Sequence, residues 1–560
     1  MKLNNRLKKT IVIGSLGTLA ISSFGFIESY FEISKNLDIF SSVYREINVN
    51  YVEETNPGSL VKTGIDAMLR SLDPYTNYIP ESQIEDYRIM TTQEYGGIGA
   101  LIGTQDGKII ITEPYKDSPA DKAGLKAGDV IEAVNGITTE GKNTEQLSEM
   151  LKGQAGTNIK VRIGRPLINE EFEVTVTREK IKISDVPYYG MVDDKTGYIS
   201  LRSFTETASR SVKEAYQKLQ EQGMENVILD LRGNGGGLLD ESVNIVNFFV
   251  PKGSPVVETK GKVKEHYSSY KALKEPLDTQ IPMVVLIDEN SASASEIVSG
   301  TLQDYDRAVL IGQNSFGKGL VQITKNISYN SIIKLTIAKY YTPSGRCIQR
   351  LDYGHRDEDG RALDVPDSLI KEFTTTNGRI VKDGAGIMPD IFNEPQEYSD
   401  LLITLLSENI PFDYATEYFY KHDSIAPASQ FALSDAEYNA FIDYVLTHNL
   451  EYKTSSTEMM KKLEEVIKGD EFWEEVDGEY AALKTKLERN VKNDMVKFKP
   501  EIKLFLETEI IGRYYYSQGQ TEAYLTHDQD VKKALEVLNN KSMYTSVLDG
   551  TCETCLNKKR

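Results

Sequence analysis

Asn226-Val-Ile-Leu-Asp-Leu-Arg-Gly-Asn-Gly-Gly-Gly237 is a short apolar run that ends in a glycine-rich turn. A run of this length, bounded by a turn signal, reads as a strand buried on both faces. Pro282 to Asp288 repeats the pattern and leads into Asn290-Ser-Ala-Ser-Ala-Ser-Glu296. Val309-Leu-Ile-Gly312 repeats it again and leads into Ser315-Phe-Gly-Lys-Gly-Leu-Val-Gln322. The spacing also predicts a strand at Gly197 to Leu201, helices at Ser209 to Gln222 and about Ala294 to Asp304, and a hairpin within Ile323 to Tyr341. Alternating strands and helices make residues 181–395 an α/β core. The three polar segments then lie at strand C-termini, where such sheets gather ligand and catalytic groups.

Upstream, residues 94–180 change character. Short β-like runs surround two helical stretches, Ser118 to Ala123 and Thr144 to Leu151. Glu94-Tyr-Gly-Gly-Ile-Gly-Ala100 opens this module, and Ser118-Pro-Ala-Asp-Lys-Ala-Gly124 begins a second signature that runs to Gly136. Glycines in the opening loop let backbone N–H groups converge into a nest for a carboxylate. An adjacent strand edge can pair with an extended peptide. Two signatures in this order resemble a PDZ domain. That resemblance implies that Tyr95, Gly96, Gly97, Ile98 and Gly99 bind the end of a protein chain.

The flanks complete the division. Residues 28–93 read as an N-terminal helical domain, closed by Ser71-Leu-Asp-Pro-Tyr75, and residues 396–560 as a charged C-terminal helical domain whose role the sequence does not disclose. Lys2, Arg6, Lys8 and Lys9 precede an uncharged, mainly apolar run from Thr10 to Ile27. That order predicts a signal peptide or membrane anchor over residues 1–27, and hence an exported protein of the periplasm or cell envelope, attached to the inner membrane if the segment is retained.

Composition removes several function classes. The 560 residues carry 64 basic and 84 acidic side chains, a net charge of −20, which argues against a nucleic-acid surface. Three cysteines exclude a disulfide-stapled scaffold and a four-thiolate zinc site. Cys552-Glu-Thr-Cys555 is a lone pair, read as structural or incidental. Gly233-x-Gly235 lacks the third glycine of a dinucleotide fingerprint, Leu238 holding its place. Gly312 to Lys318 follows a phosphate-loop pattern until Gly319 stands where a Ser or Thr should be.

Ser293 is the better lead. Ser293-x-x-Glu296 is a capping-box pattern, and a serine at a helix N-terminus sits where developing negative charge is favoured. Ala294 N–H could then stabilise an oxyanion, with a second donor from the Gly235–Gly237 turn. Ser291 and Ser295 compete by spacing alone. The five histidines, His266, His355, His422, His448 and His527, lie in no motif-like setting. Lys318 is the alternative base; its ordinary pKa, near 10.4, must fall by several units in an apolar pocket. Gln322 could orient it.

Taken together, the leader, the PDZ-like module and the three core segments resemble the carboxyl-terminal processing proteases, serine peptidases with a Ser/Lys dyad. Ser71-Leu-Asp-Pro, Tyr341-Thr-Pro-Ser-Gly345 and Gly386-Ile-Met-Pro-Asp390 agree. In that family the nucleophile precedes the lysine by 25 positions, which selects Ser293 for Lys318. The resemblance implies Ser293 as nucleophile, Lys318 as general base, Gln322 as its orienting residue, and Gly236 and Ala294 as oxyanion donors. One departure is visible: Asn234-Gly235-Gly236-Gly237 stands where the family usually has Asn-Pro-Gly-Gly.

The expected function is an exported serine endopeptidase that takes protein substrates by their C-termini and uses no cofactor and no metal. A homo-oligomer or an adaptor is a further partner class left open. The alternatives are a catalytically inactive, PDZ-bearing envelope scaffold and a Ser/His hydrolase of small esters. The PDZ module is further expected to gate the site through linkers near residues 90–95 and 177–185, as its sole connections to the core.

Overall fold

A computed structural model describes residues 31–552 apart from 451, 488 and 489. The leader and Cys555 lie outside the described residues. The chain divides into two compact units.

The first unit runs to Glu81 and includes Thr324–Leu335. It holds helix α1 (residues 31–50), helix α2 (Pro57–Arg70) and strand β1 (Asn77–Ile79). Helix α2 begins where the Asn56 side chain accepts the Ser59 N–H and Pro57 fills the first turn. Past its end, the Asp73 carboxylate accepts the N–H groups of Tyr75 and Thr76 and the Thr76 hydroxyl. That is why Ser71-Leu-Asp-Pro-Tyr75 closes the helical pattern. Strand β1 pairs antiparallel with Ile332–Lys334.

The second unit comprises Ser82–Ile323 and the chain from Thr336 onward. After helix α3 (Ile84–Thr92) come β2 (Glu94–Gly97), β3 (Ala100–Gln105), β4 (Lys108–Pro114), α4 (Pro119–Lys122), β5 (Val130–Val134), β6 (Ile137–Thr138), α5 (Thr144–Leu151), β7 (Asn158–Arg165), β8 (Glu170–Thr177) and β9 (Glu179–Lys182). The sheet order is β3-β4-β5-β7-β8, with β6 on β5, so β3 is an edge. Ile111, Leu125, Ile131, Leu147, Ile159 and Val161 are fully buried beneath it, each worth about 1.5–3 kcal/mol of burial. The two sequence signatures meet in space. The Ser118 hydroxyl donates to Gly99 O at 2.8 Å, and Ala120 N–H donates to Ile98 O at 2.8 Å. Gly99 has φ 75°, and a Cβ there would lie 2.5 Å from Ser118 Cβ, so only glycine fits.

The core carries β10 (Tyr188–Met191), β11 (Thr196–Ser200), α6 (Ala208–Glu221), β12 (Asn226–Asp230), α7 (Leu239–Asn247), β13 (Pro255–Gly261), β14 (Ser268–Lys271), β15 (Met283–Ile287), α8 (Ala294–Asp304), β16 (Val309–Gly312), β17 (Leu320–Ile327) and β18 (Ser331–Tyr341). Hairpins β19 (Leu351–Arg356) with β20 (Ala362–Asp364), and β21 (Glu372–Thr374) with β22 (Ile380–Lys382), precede β23 (Ile391–Phe392). The main sheet runs β10-β11-β12-β15-β16-β23 and is parallel from β11 onward. Alternation sorts its side chains. Leu229, Val285 and Leu310 face α6, α7 and α8, packing with Val212, Ile245, Ile297 and Leu302. Ile228, Val284, Leu286, Val309 and Ile311 point the other way.

What covers that second face comes from the far end of the chain. Helices α9 (Asp400–Ser407), α10 (Ile410–Lys421), α11 (Asp435–Thr447), α12 (Ser455–Gly469), α13 (Trp473–Leu487), α14 (Val491–Lys497) and α15 (Lys499–Leu525) lead to α16 (Gln529–Asn539) and α17 (Lys541–Leu548). Val531, Ala534, Val537, Leu538 and Val547 of the last two pack on the sheet. A PDZ-like module preceding an α/β core, with helical regions at both ends, is therefore the observed architecture, as expected.

Besides its two linkers to the core, the module is held by the C-terminal helical region, whose last helices pack on the core sheet. Gln105 Nε2 donates to both carboxylate oxygens of Asp413, at 2.9 and 2.8 Å. Tyr516 hydroxyl donates to Asp121 at 2.8 Å, and Ser517 N–H to Glu113 at 2.8 Å. Tyr516 interrupts α15 with φ 57° and ψ −170°, so the module is also gripped where that helix kinks. Among the described residues no helix is long and apolar enough to cross a membrane.

Candidate active site

Strands β12, β15 and β16 lie side by side in register, Leu229 beside Val285 and Val285 beside Leu310. Their C-terminal loops therefore leave one edge of the sheet together and bring the three polar segments to one place.

The serine loop comes first. Every residue of α8 is buried, so its N-terminus opens from the interior. Ser293 is its N-cap, with φ 58° and ψ −110°. A non-glycine residue held there costs about 1–3 kcal/mol and persists only where its surroundings fix it. Ser293 N–H donates to Glu296 Oε2 at 2.7 Å, and the Tyr340 hydroxyl donates to Ser293 O at 3.1 Å. The three competing serines separate clearly. Ser291 is fully buried and its hydroxyl donates to Leu231 O and contacts Asp288. Ser295 is fully buried and donates to Asn234 O at 2.8 Å. Ser293 alone of the three is partly exposed.

The glycine loop lies against it. Asn234 is fully buried; its side chain donates to Leu201 O, and its carbonyl accepts from Ala292 N–H and the Ser295 hydroxyl. A Cβ on Gly236 would lie 2.7 Å from Ala292 O, 2.9 Å from Ser293 Cβ and 3.0 Å from Ala294 N. With φ 100°, Gly236 is a position only glycine can fill. Its N–H donates to Asn234 Oδ1 at 2.9 Å.

The lysine loop is tied to the serine loop by a residue that the sequence pattern marked only as a cap. The Glu296 carboxylate is fully buried. Besides Ser293 N–H it accepts the Ser315 hydroxyl at 2.5 Å, Gly317 N–H at 2.8 Å and Lys318 N–H at 2.9 Å. Burial pushes this carboxyl above its ordinary value against the pull of those donors, Ser315 foremost. Lys318 is half-buried just before β17. Gln322 lies on β17, not on a helical turn, and donates its amide to Thr336 Oγ1 on β18 at 3.1 Å. Among the described residues the histidines make their contacts elsewhere: His355 with Asp352, His422 against Tyr418 and His448 with Tyr444.

In the PDZ-like module, Glu94–Gly97 form β2, paired residue by residue with Glu179–Lys182 of β9. Of the five residues expected to line a nest, only Ile98 and Gly99 fall between strands. Glycine spacing carried no sign of that pairing. Cys347 is a free thiol that burial pushes above its ordinary value, and Cys552 is disulfide-bonded. Among the described residues no group of ligating side chains could hold a metal ion.

Known proteins share these features. Residues 195–354 match the model of Peptidase family S41, residues 110–165 that of the PDZ domain, and residues 401–538 that of the probable PDZ-protease C-terminal helical domain. A probable CtpA-like serine protease of Staphylococcus aureus is 35% identical over 347 residues, 60% of this chain and 69% of that protein. A carboxy-terminal-processing protease of Bartonella bacilliformis is 35% identical over 319 residues, 56% of this chain and 73% of its own length. The solved photosystem II D1 C-terminal processing protease is 26% identical, with a TM-score of 0.32, over 59% of this chain and 91% of that one. At 35% identity over 69% and 73% of the length of those two relatives, and with a Peptidase family S41 match behind a PDZ match, this chain belongs to the carboxy-terminal-processing family of serine proteases.

Proposed function

We propose that this serine protease captures protein substrates by their C-termini and cleaves them through acylation of Ser293, with Lys318 as the general base. The observation that carries the reading is Glu296. One buried carboxylate holds the backbone of Ser293 and of Lys318 at once, which fixes two loops from different strands against each other. In the proposed reaction neutral Lys318 takes the Ser293 hydroxyl proton as the oxygen attacks the scissile carbonyl. Ala294 N–H, at the positive end of α8, donates to the developing oxyanion. Gly236 N–H, held by Asn234 Oδ1, becomes the second donor when substrate displaces that contact. The lysine ammonium then protonates the leaving amine, and water attacks the acyl-enzyme. With the Gln322 amide nitrogen donating to Thr336, its carbonyl oxygen is the end left to orient Lys318.

Substrate capture rests on the edge strand β3, which offers its free backbone edge to an extended tail. Ile98 and Gly99 lie at its start, where the terminal carboxylate would sit. The basic-then-apolar order of residues 2–27 supports export, with membrane attachment if the segment is retained. Ser293→Ala should abolish cleavage of an unstructured test protein, and a chelator should leave the wild-type rate unchanged. Full activity in Ser293→Ala would contradict the assignment.

A further inference from the structure

Arg232, in the turn after β12, is gripped from two sides. On its own side, Nε and Nη2 donate to Asp230, at 3.0 and 2.7 Å. On the other, Nη1 and Nη2 donate to Asp528 at 3.1 and 2.8 Å, and Nη1 donates to Asp530 at 2.9 Å. Asp528 is the N-cap of α16, accepting the N–H groups of Asp530 and Val531. Asp530 is held in turn by the Asn393 amide at 2.6 Å, just past β23. Three carboxylates thus surround one guanidinium, two of them nearly 300 residues away in sequence. Bidentate guanidinium–carboxylate pairs fix direction as well as distance.

The chain leaving Arg232 is the glycine loop. Gly233 N–H donates to Asp288, Asn234 is anchored to Leu201 and Ala292, and Gly236 rests against Ser293. Arg232 is therefore the upstream anchor of the segment that forms one wall of the site.

We propose that Asp528 and Asp530 are positioning residues for the oxyanion side of this protease. By holding Arg232 they keep the Gly233–Gly237 loop against Ser293, so that the C-terminal helical region completes the site. This rests on the reading of Ser293 as nucleophile. Nothing in the core sequence identifies Asp528 and Asp530 as partners of Arg232, because both lie outside the core.

The test uses the full chain bearing Asp528→Asn, Asp530→Asn, both together, or Arg232→Lys, with Lys533→Ala as control, a partly exposed residue of α16 whose ammonium pairs with Glu536. Asparagine keeps the cap of α16 while removing the charge. Cleavage of an internally quenched peptide with an amidated C-terminus gives kcat and KM, normalised to the folded fraction by near-UV circular dichroism. Affinity of the PDZ module for a fluorescein-labelled peptide with a free C-terminus is measured alongside. The proposal expects kcat per folded molecule to fall about 10- to 100-fold in the Asp and Arg variants, as misplaced catalytic geometry does. KM and PDZ affinity should stay within about twofold, and Lys533→Ala should match wild type. A wild-type kcat per folded molecule in the Asp variants, even with lowered stability, would overturn it. Should the double variant not fold, Asp530→Asn alone decides, since Asp528 still caps the helix. Ser293→Ala in the same series separates the two claims: activity there defeats the nucleophile reading, whereas the Asp variants judge the clamp.

Discussion

A Cβ on Gly236 would lie 2.7 Å from Ala292 O, whereas one on its neighbour Gly235 meets nothing within 4 Å and needs no left-handed φ. Gly236→Ala should therefore push the loop off Ser293 and lower kcat by about 100-fold, the scale expected for a disturbed oxyanion donor. Gly235→Ala should keep full activity and gain about 0.4–1 kcal/mol by restricting the unfolded chain. Peptide kinetics and urea midpoints check both, and equal losses in the two variants would contradict the packing described. Glu296→Gln makes a second residue-scale test. An amide presents N–H groups to the donors of Ser293, Ser315, Gly317 and Lys318, so it should cost about 2–3 kcal/mol and most of the activity. A folded, fully active variant would show that the carboxylate does not hold the two loops. The three serines illustrate what residue types alone could not settle. Spacing left Ser291, Ser293 and Ser295 equivalent, and family resemblance chose among them. The hydroxyls of Ser291 and Ser295 prove to be committed to Leu231 O and Asn234 O.

At the scale of elements, strands were legible because both faces of the central sheet are covered, which leaves continuous apolar runs with no polar alternation. The cover itself was not. Helix α16 carries an apolar stripe that would look the same whether it met a helix or a sheet, and its partners Val284 and Val309 are more than 200 residues away. Likewise Glu94–Gly97 read as a glycine loop because glycines carry no mark of strand pairing, yet they pair with β9. The end of β12 gives a prediction in pH. Burial would raise the Asp230 carboxyl, but Arg232 first, then Arg202 and the Tyr198 hydroxyl, outweigh it and hold it below its ordinary value. A group lowered on folding binds fewer protons in the folded state. Its stabilisation is therefore present above the unfolded carboxyl range, about pH 4, and is lost as pH falls through the folded value. Asp230→Asn should lower stability at neutral pH and flatten the acid limb of the urea midpoint below about pH 4. An acid limb as steep as wild type would contradict this.

For the molecule as a whole, the order of domains was visible in the sequence, but the grip of the helical region on the PDZ module was not. Gln105 and Asp413 are 308 residues apart, and neither belongs to a motif. The strained Tyr516 and its bond to Asp121 mark where that grip is concentrated. Tyr516→Phe removes one charge-assisted hydrogen bond, worth about 1.5 kcal/mol. Amide exchange at residues 113–121 and 512–520 should accelerate about tenfold, while peptide affinity of the module stays unchanged. Unaltered exchange would mean that the module is held by other contacts. A grip of this kind also gives any gating by the module a second route besides its linkers.

The central claim is that three strand-end loops assemble one Ser293/Lys318 site, and peptide mapping by mass spectrometry after reaction with a fluorophosphonate probe tests it most directly. The account predicts a single adduct on Ser293 in the wild-type chain, none in Ser293→Ala, and labelling slowed by orders of magnitude in Lys318→Ala. An adduct on Ser291 or Ser295, or labelling of Lys318→Ala at the wild-type rate, would contradict it.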